Sequence, residues 1–340
     1  MSIRVLAIDG GGIRGILPAR LLTELETLAA RPVTDLFDLV AGSSTGGLLA
    51  LGLAAPGGNG VPRHQAVDLL QLFATRAGDL FPGGGSRLRW GARNLGRGLS
   101  QLADRAASVA SPPTPVLSPQ HRPEPLEHLL EEYLGETPFG SARCQVVIPA
   151  YDLVDAETLV FRSEEFAGAS APLMREVARA TAAGPTYFPP YRMEMGSSEY
   201  WLTDGGVVAN HPAPTAYLDA LEQAKGGEIT VVSVGAGLPE KRRHYLPPKG
   251  HRPRRRSSRQ VPIGALDAMA HGSNEAAHRL LKNISGGRGR YWRMQGTLGP
   301  CSPAHDAVDE DNVAALLAVA EEMAREQRPH LEAALEHLSA

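Results

Sequence analysis

Cysteine is nearly absent from this chain, whose 340 residues hold only Cys144 and Cys301. Two thiols cannot build a disulfide framework, and their spacing matches no metal-binding pattern, so the expectation is two free thiols in a reducing cytoplasm. No apolar run reaches the length of a membrane span, and residues 1–9 read as a strand entering a fold rather than as a signal peptide. An excess of one charge is missing as well. With 34 Lys and Arg against 37 Asp and Glu, the net charge of −3 gives no global attraction to DNA, RNA or anionic lipid. Any such attraction must come from local clusters. What is plentiful is glycine, 37 residues in a chain that is 43% hydrophobic and 21% charged. That balance suits one large α/β domain or two smaller ones with a substantial core.

The glycines concentrate in strand-to-helix turns. Residues 3–8 form an apolar run broken only by Arg4, as in a parallel strand covered on both faces. Asp9-Gly-Gly-Gly-Ile-Arg-Gly15 follows, and then Leu17, Leu21, Leu22, Leu25 and Leu28 recur at helical spacing, with Pro18 tolerated in the first turn. Backbone N–H groups in such a turn are free to bind an anion. Gly10, Gly12 and Gly15 also satisfy the dinucleotide pattern G-x-G-x-x-G. That fold, however, needs a ribose-binding acid at the carboxyl end of its second strand, whereas Asp35 and Asp38 precede the strand.

The end of the second strand carries Gly42-Ser43-Ser44-Thr45-Gly46 instead, the G-x-S-x-G pattern of a nucleophile elbow, with Ser44 as the nucleophile. A serine on so sharp a turn needs small neighbours on both flanks, and Gly42 and Gly46 supply them. Residues 48–54 read as a buried helix whose N-terminus lies beneath Ser44, where its dipole favours a developing oxyanion.

Farther along, residues 64–77 suggest a helix, and residues 82–125 turn to glycine, proline, serine and arginine, a long insertion. Within it Leu88, Trp90, Leu95, Leu99 and Leu102 interleave with Arg87, Arg89, Arg93 and Arg97. This cationic amphipathic pattern suits a phospholipid surface or a cap over a cleft, and equally a loosely packed loop. Strands are expected at 145–151 and 158–161, a helix at 172–183, and a strand leading through Tyr200-Trp-Leu into Asp204-Gly-Gly206. Two glycines behind Asp204 permit a tight turn that can hold a carboxylate still beside a serine, although Asp-Gly is also an ordinary turn. Residues 228–234 read as a buried strand, and residues 251–259 carry five arginines, a run able to contact phosphate or simply a solvated loop. Helices at 262–283 and 309–338, with a short strand at 290–294 between them, complete the chain.

The Gly-rich turn, the serine elbow and the Asp-Gly-Gly turn occur in an order that resembles the patatin-like phospholipase family. Ala178-Arg-Ala-Thr-Ala-Ala-Gly-Pro-Thr-Tyr-Phe188 resembles that family's helix and turn before the acid. The resemblance covers residues 3 to about 237, and Asn210-His211-Pro212 departs from it where the family often has a second asparagine. His211 is either a hidden third catalytic member or a helix-entry residue. The resemblance implies a three-layer α/β/α sandwich with a mainly parallel sheet. The expected domain organisation is a core at 3–240 with the 82–125 insertion, and, beyond the reach of the resemblance, a C-terminal extension at 241–340 packed on the same domain. The resemblance further implies a phospholipase A-type acyl hydrolase that works through a Ser44–Asp204 dyad and an acyl-enzyme, without metal or cofactor. The oxyanion hole falls to the amides of Gly11 and Gly12, with Gly10, Ile13 and Arg14 beside them. Arg14 binds lipid phosphate or pairs with an acid to hold the turn. The implied partner is a phospholipid membrane surface, met by a cytoplasmic protein that is peripheral to the membrane when active. A cyclic-dinucleotide activator is compatible with the resemblance, with residues 252–259 and Tyr291-Trp292 as candidate contacts, and so is a homo-oligomer. A non-catalytic lipid-binding or storage protein is the rival class, and it should have lost Ser44 or Asp204.

Overall fold

The computed structural model describes residues 2–82, 119–166, 168, 171–239, 260–285 and 290–339. The amphipathic pattern at 87–102 and the arginine run at 252–259 therefore lie outside the described residues.

Strand β1 (Ile3–Ile8) occupies the middle of a mixed sheet of eight strands. It pairs in parallel with β2 (Leu39–Gly42) on one side and, on the other, with β7 (Ile229–Val234), which in turn pairs in parallel with β8 (Tyr291–Met294). Strand β3 (Gln145–Asp152) extends the parallel region beyond β2. The remaining strands, β4 (Glu157–Arg162), β5 (Tyr191–Met195) and β6 (Ser198–Asp204), are antiparallel to their neighbours. The sheet is thus mostly parallel, and it carries an antiparallel lobe on β3.

Side-chain alternation along β1 separates two cores. Leu6 and Ile8 face one helical layer, while Ile3, Val5 and Ala7 face the other. The first layer contains α1 (Ile16–Ala29), α2 (Thr45–Ala54), α3 (Ala66–Thr75), α4 (Glu124–Leu134) and α5 (Met174–Thr181). The second contains α6 (Ala213–Ala224), whose Ala213, Ala216, Ala220 and Ala224 form a small-residue stripe against the sheet. Helix α7 (Gln260–Ile284) adds Leu281 to this second core. The last helix, α8 (Glu310–Ser339), returns to the first layer. It packs on α1 with Leu316, Leu331 and Ala334 buried, and ion pairs Arg20–Glu321 (2.7 Å) and Glu24–Arg328 (3.1 Å) run along the seam. The result is the α/β/α sandwich expected from the sequence.

Helix α4 and strand β5 escape the sequence reading, as do several helices of three or four residues, and α6 is anticipated only through the helix-entry reading of His211. Helix α4 starts inside the expected insertion because Pro123 and Pro125 look like breakers, yet Pro125 sits in the first turn, where its missing N–H costs nothing. Its buried residues, Leu126, Leu129, Leu130 and Leu134, follow a regular helical period. Strand β5 pairs with β6 across a tight turn at Gly196, whose φ of 62° is natural for glycine.

Because β8 and α8 complete the sheet and the first layer, a cavity in the α1–α8 seam should weaken the whole molecule. Leu316→Ala is expected to cost about 2–5 kcal/mol and to leave one cooperative denaturant transition. Two transitions, with the earlier strands surviving the first, would show that residues after 240 fold apart.

Candidate functional site

Strand β3 brings Ser44 and Asp204 together. Ala41 of β2 pairs with Val147, and Asp204 of the oppositely directed β6 pairs with Ala150. Both strands lie on the same edge of β3, because Val147 and Ala150 each have β4 on the other side. At about 3.3 Å per residue, the β2 chain three residues past Ala41 reaches the position that β6 already occupies. The two chain ends therefore meet head to head, and one must turn away. It does so at Ser44, with φ 53° and ψ −126°, a conformation that costs a non-glycine residue on the order of 1–3 kcal/mol. Gly42 permits this turn, since a Cβ there would lie 2.1 Å from Gly46 O. The Ser44 hydroxyl donates to Asp204 Oδ2 at 2.7 Å. Neighbouring Ser43 is fully buried, so of the two serines in the motif only Ser44 reaches a carboxylate.

The end of α5 clamps this meeting point. Ser44 N–H donates to Thr181 Oγ1 (3.1 Å), and the Thr181 hydroxyl donates to Pro149 O of β3 (2.8 Å). Thr181 O accepts Gly205 N–H (3.3 Å), while Ala183 O accepts both Asp204 N–H (3.1 Å) and the Thr203 hydroxyl (2.8 Å). Sequence reasoning missed Thr181 as a positioning residue. The only sequence signal was its place in the segment before the acid.

Asp204 is 7% exposed. Burial, which disfavours the charged form, pushes its carboxyl up to about 6 against the opposing hydrogen bonds from Ser44 and from Gly206 N–H, the latter to Oδ1 at 2.6 Å. Such a group is poised to change protonation near neutrality.

The Gly-rich turn faces this pair, and its amides are unequally committed. Gly10 N–H donates to Asn210 O (3.0 Å), Gly11 N–H to Thr45 Oγ1 (3.1 Å), Ile13 N–H to His305 O (2.8 Å) and Arg14 N–H to Gly11 O (3.3 Å). Among the described residues Gly12 N–H has no acceptor, and neither has Thr45 N–H at the first turn of α2. Of the five candidate amides Gly12 is therefore the available one, with Thr45 as a second donor that the sequence reading did not name. Its signal was its place as first helical residue after the nucleophile. Gly12 has φ 61°, and a Cβ there would meet His305 O at 2.3 Å, so the turn needs glycine on both counts. The Arg14 guanidinium donates to Gly11 O (3.1 Å) and contacts His305 Nε2, which holds the turn.

His211 does not join Ser44. Its Nδ1 lies 3.1 Å from Asp9 Oδ1 and its Nε2 3.1 Å from the Tyr291 hydroxyl, directly beneath the turn. Arg293 grips Asp9 from β8 through both carboxylate oxygens. Burial alone would raise Asp9, but Arg293 and His211 beside it hold the carboxyl at about 2. Tyr291, a candidate nucleotide contact, is thus engaged in this buried network, and its hydroxyl also lies 3.1 Å from His278 Nδ1.

A cavity of about 240 Å³ opens over Ser44, Asp204, Gly12 and Thr45. Leu48, Leu80, Phe81, Leu126 and Phe188 make its inner wall apolar, and Met269 and Ser273 of α7 form part of its outer wall. No group of three or more acidic, histidine or cysteine side chains suited to a metal occurs among the described residues, and none of the described helices is long and apolar enough to cross a membrane.

The raised Asp204 carboxyl has a consequence for stability. A folded-state value near 6 against 3.8 unfolded means that this group favours the fold below about pH 4 and that the contribution is lost as pH rises through 6. At pH 8 the ionised Asp204 costs on the order of 3 kcal/mol. Asp204→Asn should therefore raise the melting temperature at pH 8 by several degrees and have little effect at pH 4. A lower melting temperature at pH 8 would contradict the buried, strained carboxylate.

Comparison with known proteins gives this geometry a family. The patatin-like phospholipase model, of a family of lipid hydrolases, matches residues 6–217. Patatin-like protein 2 of Oryza sativa subsp. indica is 30% identical over 264 residues, which is 69% of this chain and 61% of that protein. A cGAMP-activated phospholipase of Escherichia coli (strain TW11681) is 32% identical over 234 residues, 66% of this chain and 57% of that protein. The chain thus spans about three-fifths of the length of these relatives. Among solved structures, Pseudomonas aeruginosa ExoU in complex with SpcU aligns over 97% of this chain and 52% of that one, at 14% identity and a TM-score of 0.40. With the family's model matched from the first strand into α6, this chain belongs to the patatin-like phospholipase family.

Proposed function

We propose that the chain is a lipid acyl hydrolase of phospholipase A type, with Ser44 as nucleophile and Asp204 as its base. The observation that carries this reading is the 2.7 Å contact of Ser44 Oγ with a buried carboxylate on the floor of an apolar cavity. The apolar walls suit a hydrocarbon chain, which would set its ester carbonyl above Ser44.

Asp204 Oδ2 takes the hydroxyl proton as Ser44 Oγ attacks the carbonyl carbon. The oxyanion of the tetrahedral intermediate falls to the amides of Gly12 and Thr45, and losing one such donor typically costs about 3–4 kcal/mol. Collapse expels the lysolipid alcohol, which receives the proton from Asp204 and leaves an acyl-Ser44 ester. Water then attacks that ester with Asp204 again as base, releasing the fatty acid. The Asp204 hydrogen bond from Gly206 N–H keeps Oδ2 aimed at Ser44 during both halves.

A second reading adds control to the same chemistry: a cyclic dinucleotide opens the site, and the enzyme degrades membranes as an antiviral effector. It is supported by the E. coli relative described as cGAMP-activated. Adding cGAMP to the purified protein should then raise phospholipid hydrolysis at least about tenfold, and an unchanged rate would exclude gating by that nucleotide.

The hydrolase itself is tested by substitution and pH. Ser44→Ala and Asp204→Asn should each lower kcat on phospholipid or short-chain ester by about 10⁴-fold, and the double variant should lose little more, because the pair works as one unit. Losses that multiply would show two independent residues. Since only ionised Asp204 accepts the proton, kcat/KM should fall about tenfold per pH unit below about 6.

A further inference from the structure

Helix α7 is seated shallowly. Among its described side chains only Leu281 is buried, and polar contacts hold the rest of the inward stripe: Asn274 Oδ1 accepts from Asn210 Nδ2 (3.3 Å), and His278 reaches Tyr291. Met269, Ser273, Ala276, Leu280 and Ile284 lie on another side. At 3.6 residues per turn they fall within about 80° of one another. All but Ile284 at its end are separated from the next by three or four residues, and none is charged. Met269 is 68% exposed, Leu280 and Ile284 51% each, and Ser273 and Ala276 are exposed as well. His271, Glu275, Arg279 and Lys282 occupy the far flank.

This stripe begins at the reaction cavity. Met269 and Ser273 line its mouth, and Val207, 48% exposed, faces them from the turn after Asp204. The stripe then leads away over about 22 Å of helix. An uncharged, mostly apolar strip of that length, exposed and continuous with the opening through which an acyl chain would enter, has the chemistry of a helix face that beds into the apolar layer of a bilayer, with the charged residues on the opposite side.

We propose that the Met269–Ile284 stripe of α7 is the surface by which this protein docks on a phospholipid bilayer, laying the cavity mouth against the acyl region. The proposal rests on the acyl hydrolase reading for the use of the cavity, but docking itself does not require turnover. Leu280 and Ile284 lie beyond the cavity and enter the apolar layer on docking, while the Arg279–Glu275 pair and Lys282 stay on the water side of the helix.

The test uses the full chain and the double variants Leu280→Glu/Ile284→Glu and Leu280→Gln/Ile284→Gln, with vesicles of phosphatidylcholine doped with phosphatidylglycerol. Both variants should keep the wild-type melting temperature, since the two side chains are half exposed, and should hydrolyse a water-soluble short-chain ester within about twofold of wild type. Vesicle co-sedimentation and vesicle-lipid hydrolysis should both fall about tenfold or more, as expected for losing two apolar anchors. The Ser44→Ala protein should sediment with vesicles as well as wild type does. Wild-type co-sedimentation by both double variants would overturn the proposal. A wild-type dimer that becomes monomeric in both variants, without a change in vesicle binding, would also overturn it and assign the stripe to a second copy of the chain. A wild-type protein that binds vesicles through these residues yet cleaves neither ester would sink the hydrolase reading and leave the docking surface standing.

Discussion

The arrangement of the site depends on a competition for one edge of β3. Strand β2 runs up that edge and β6 runs down it, and their ends arrive at the same place. Neither can pass, so the backbone leaves the sheet at Ser44 with positive φ and at Gly205, where a Cβ would lie 2.2 Å from Pro149 O. The collision converts two strand ends that are 160 residues apart in sequence into a hydroxyl and a carboxylate in hydrogen-bonding contact. Thr181 makes the arrangement rigid. Its hydroxyl ties the Ser44 amide to β3, and its carbonyl holds the start of the acid turn. A strained serine and a buried acid both persist only where the surroundings over-determine them.

Residues beyond the family match carry a second part of the support. The match stops at residue 217, yet Arg293, His305 and Asn274 all reach the first glycine turn or its immediate partners. Arg293 neutralises buried Asp9, His305 O fixes Ile13, and Asn274 braces Asn210, whose backbone oxygen holds Gly10. Removing one member of a buried ion pair typically costs about 3–5 kcal/mol because the other charge is left uncompensated. The turn is thus held from the carboxyl-terminal third of the chain, and α7 connects that support to the wall of the cavity.

Local patterns revealed the parts whose physics is local. The apolar runs at 3–8 and 229–234 and the glycines flanking Ser44 need only neighbouring residues to be interpreted, and each marks a strand or turn in the structure. Asp204 with two glycines behind it is locally no more than an ordinary turn, and only the order of the three motifs along the chain, resembling the family's, singles it out. The supports were illegible for a different reason. Thr181, His305 and Arg293 act across 137, 292 and 284 residues of sequence on Ser44, Ile13 and Asp9 respectively, and no periodicity records such a pairing. Helix α4 was hidden by prolines that disfavour a helix everywhere except its first turn. The choice among the five amides was equally out of reach, since it depends on which carbonyls and hydroxyls the fold happens to bring to Gly10, Gly11 and Ile13.

The central claim is that the buried Asp204 carboxylate makes Ser44, and no other serine, reactive. Labelling with a fluorophosphonate lipid analogue, mapped by peptide mass spectrometry across pH 5–8, measures this directly. The account predicts a single adduct on Ser44 whose rate of formation falls as pH drops through about 6, and almost no labelling in Asp204→Asn. An adduct on Ser43 or elsewhere, or a Ser44 rate indifferent both to pH and to the loss of Asp204, would contradict it.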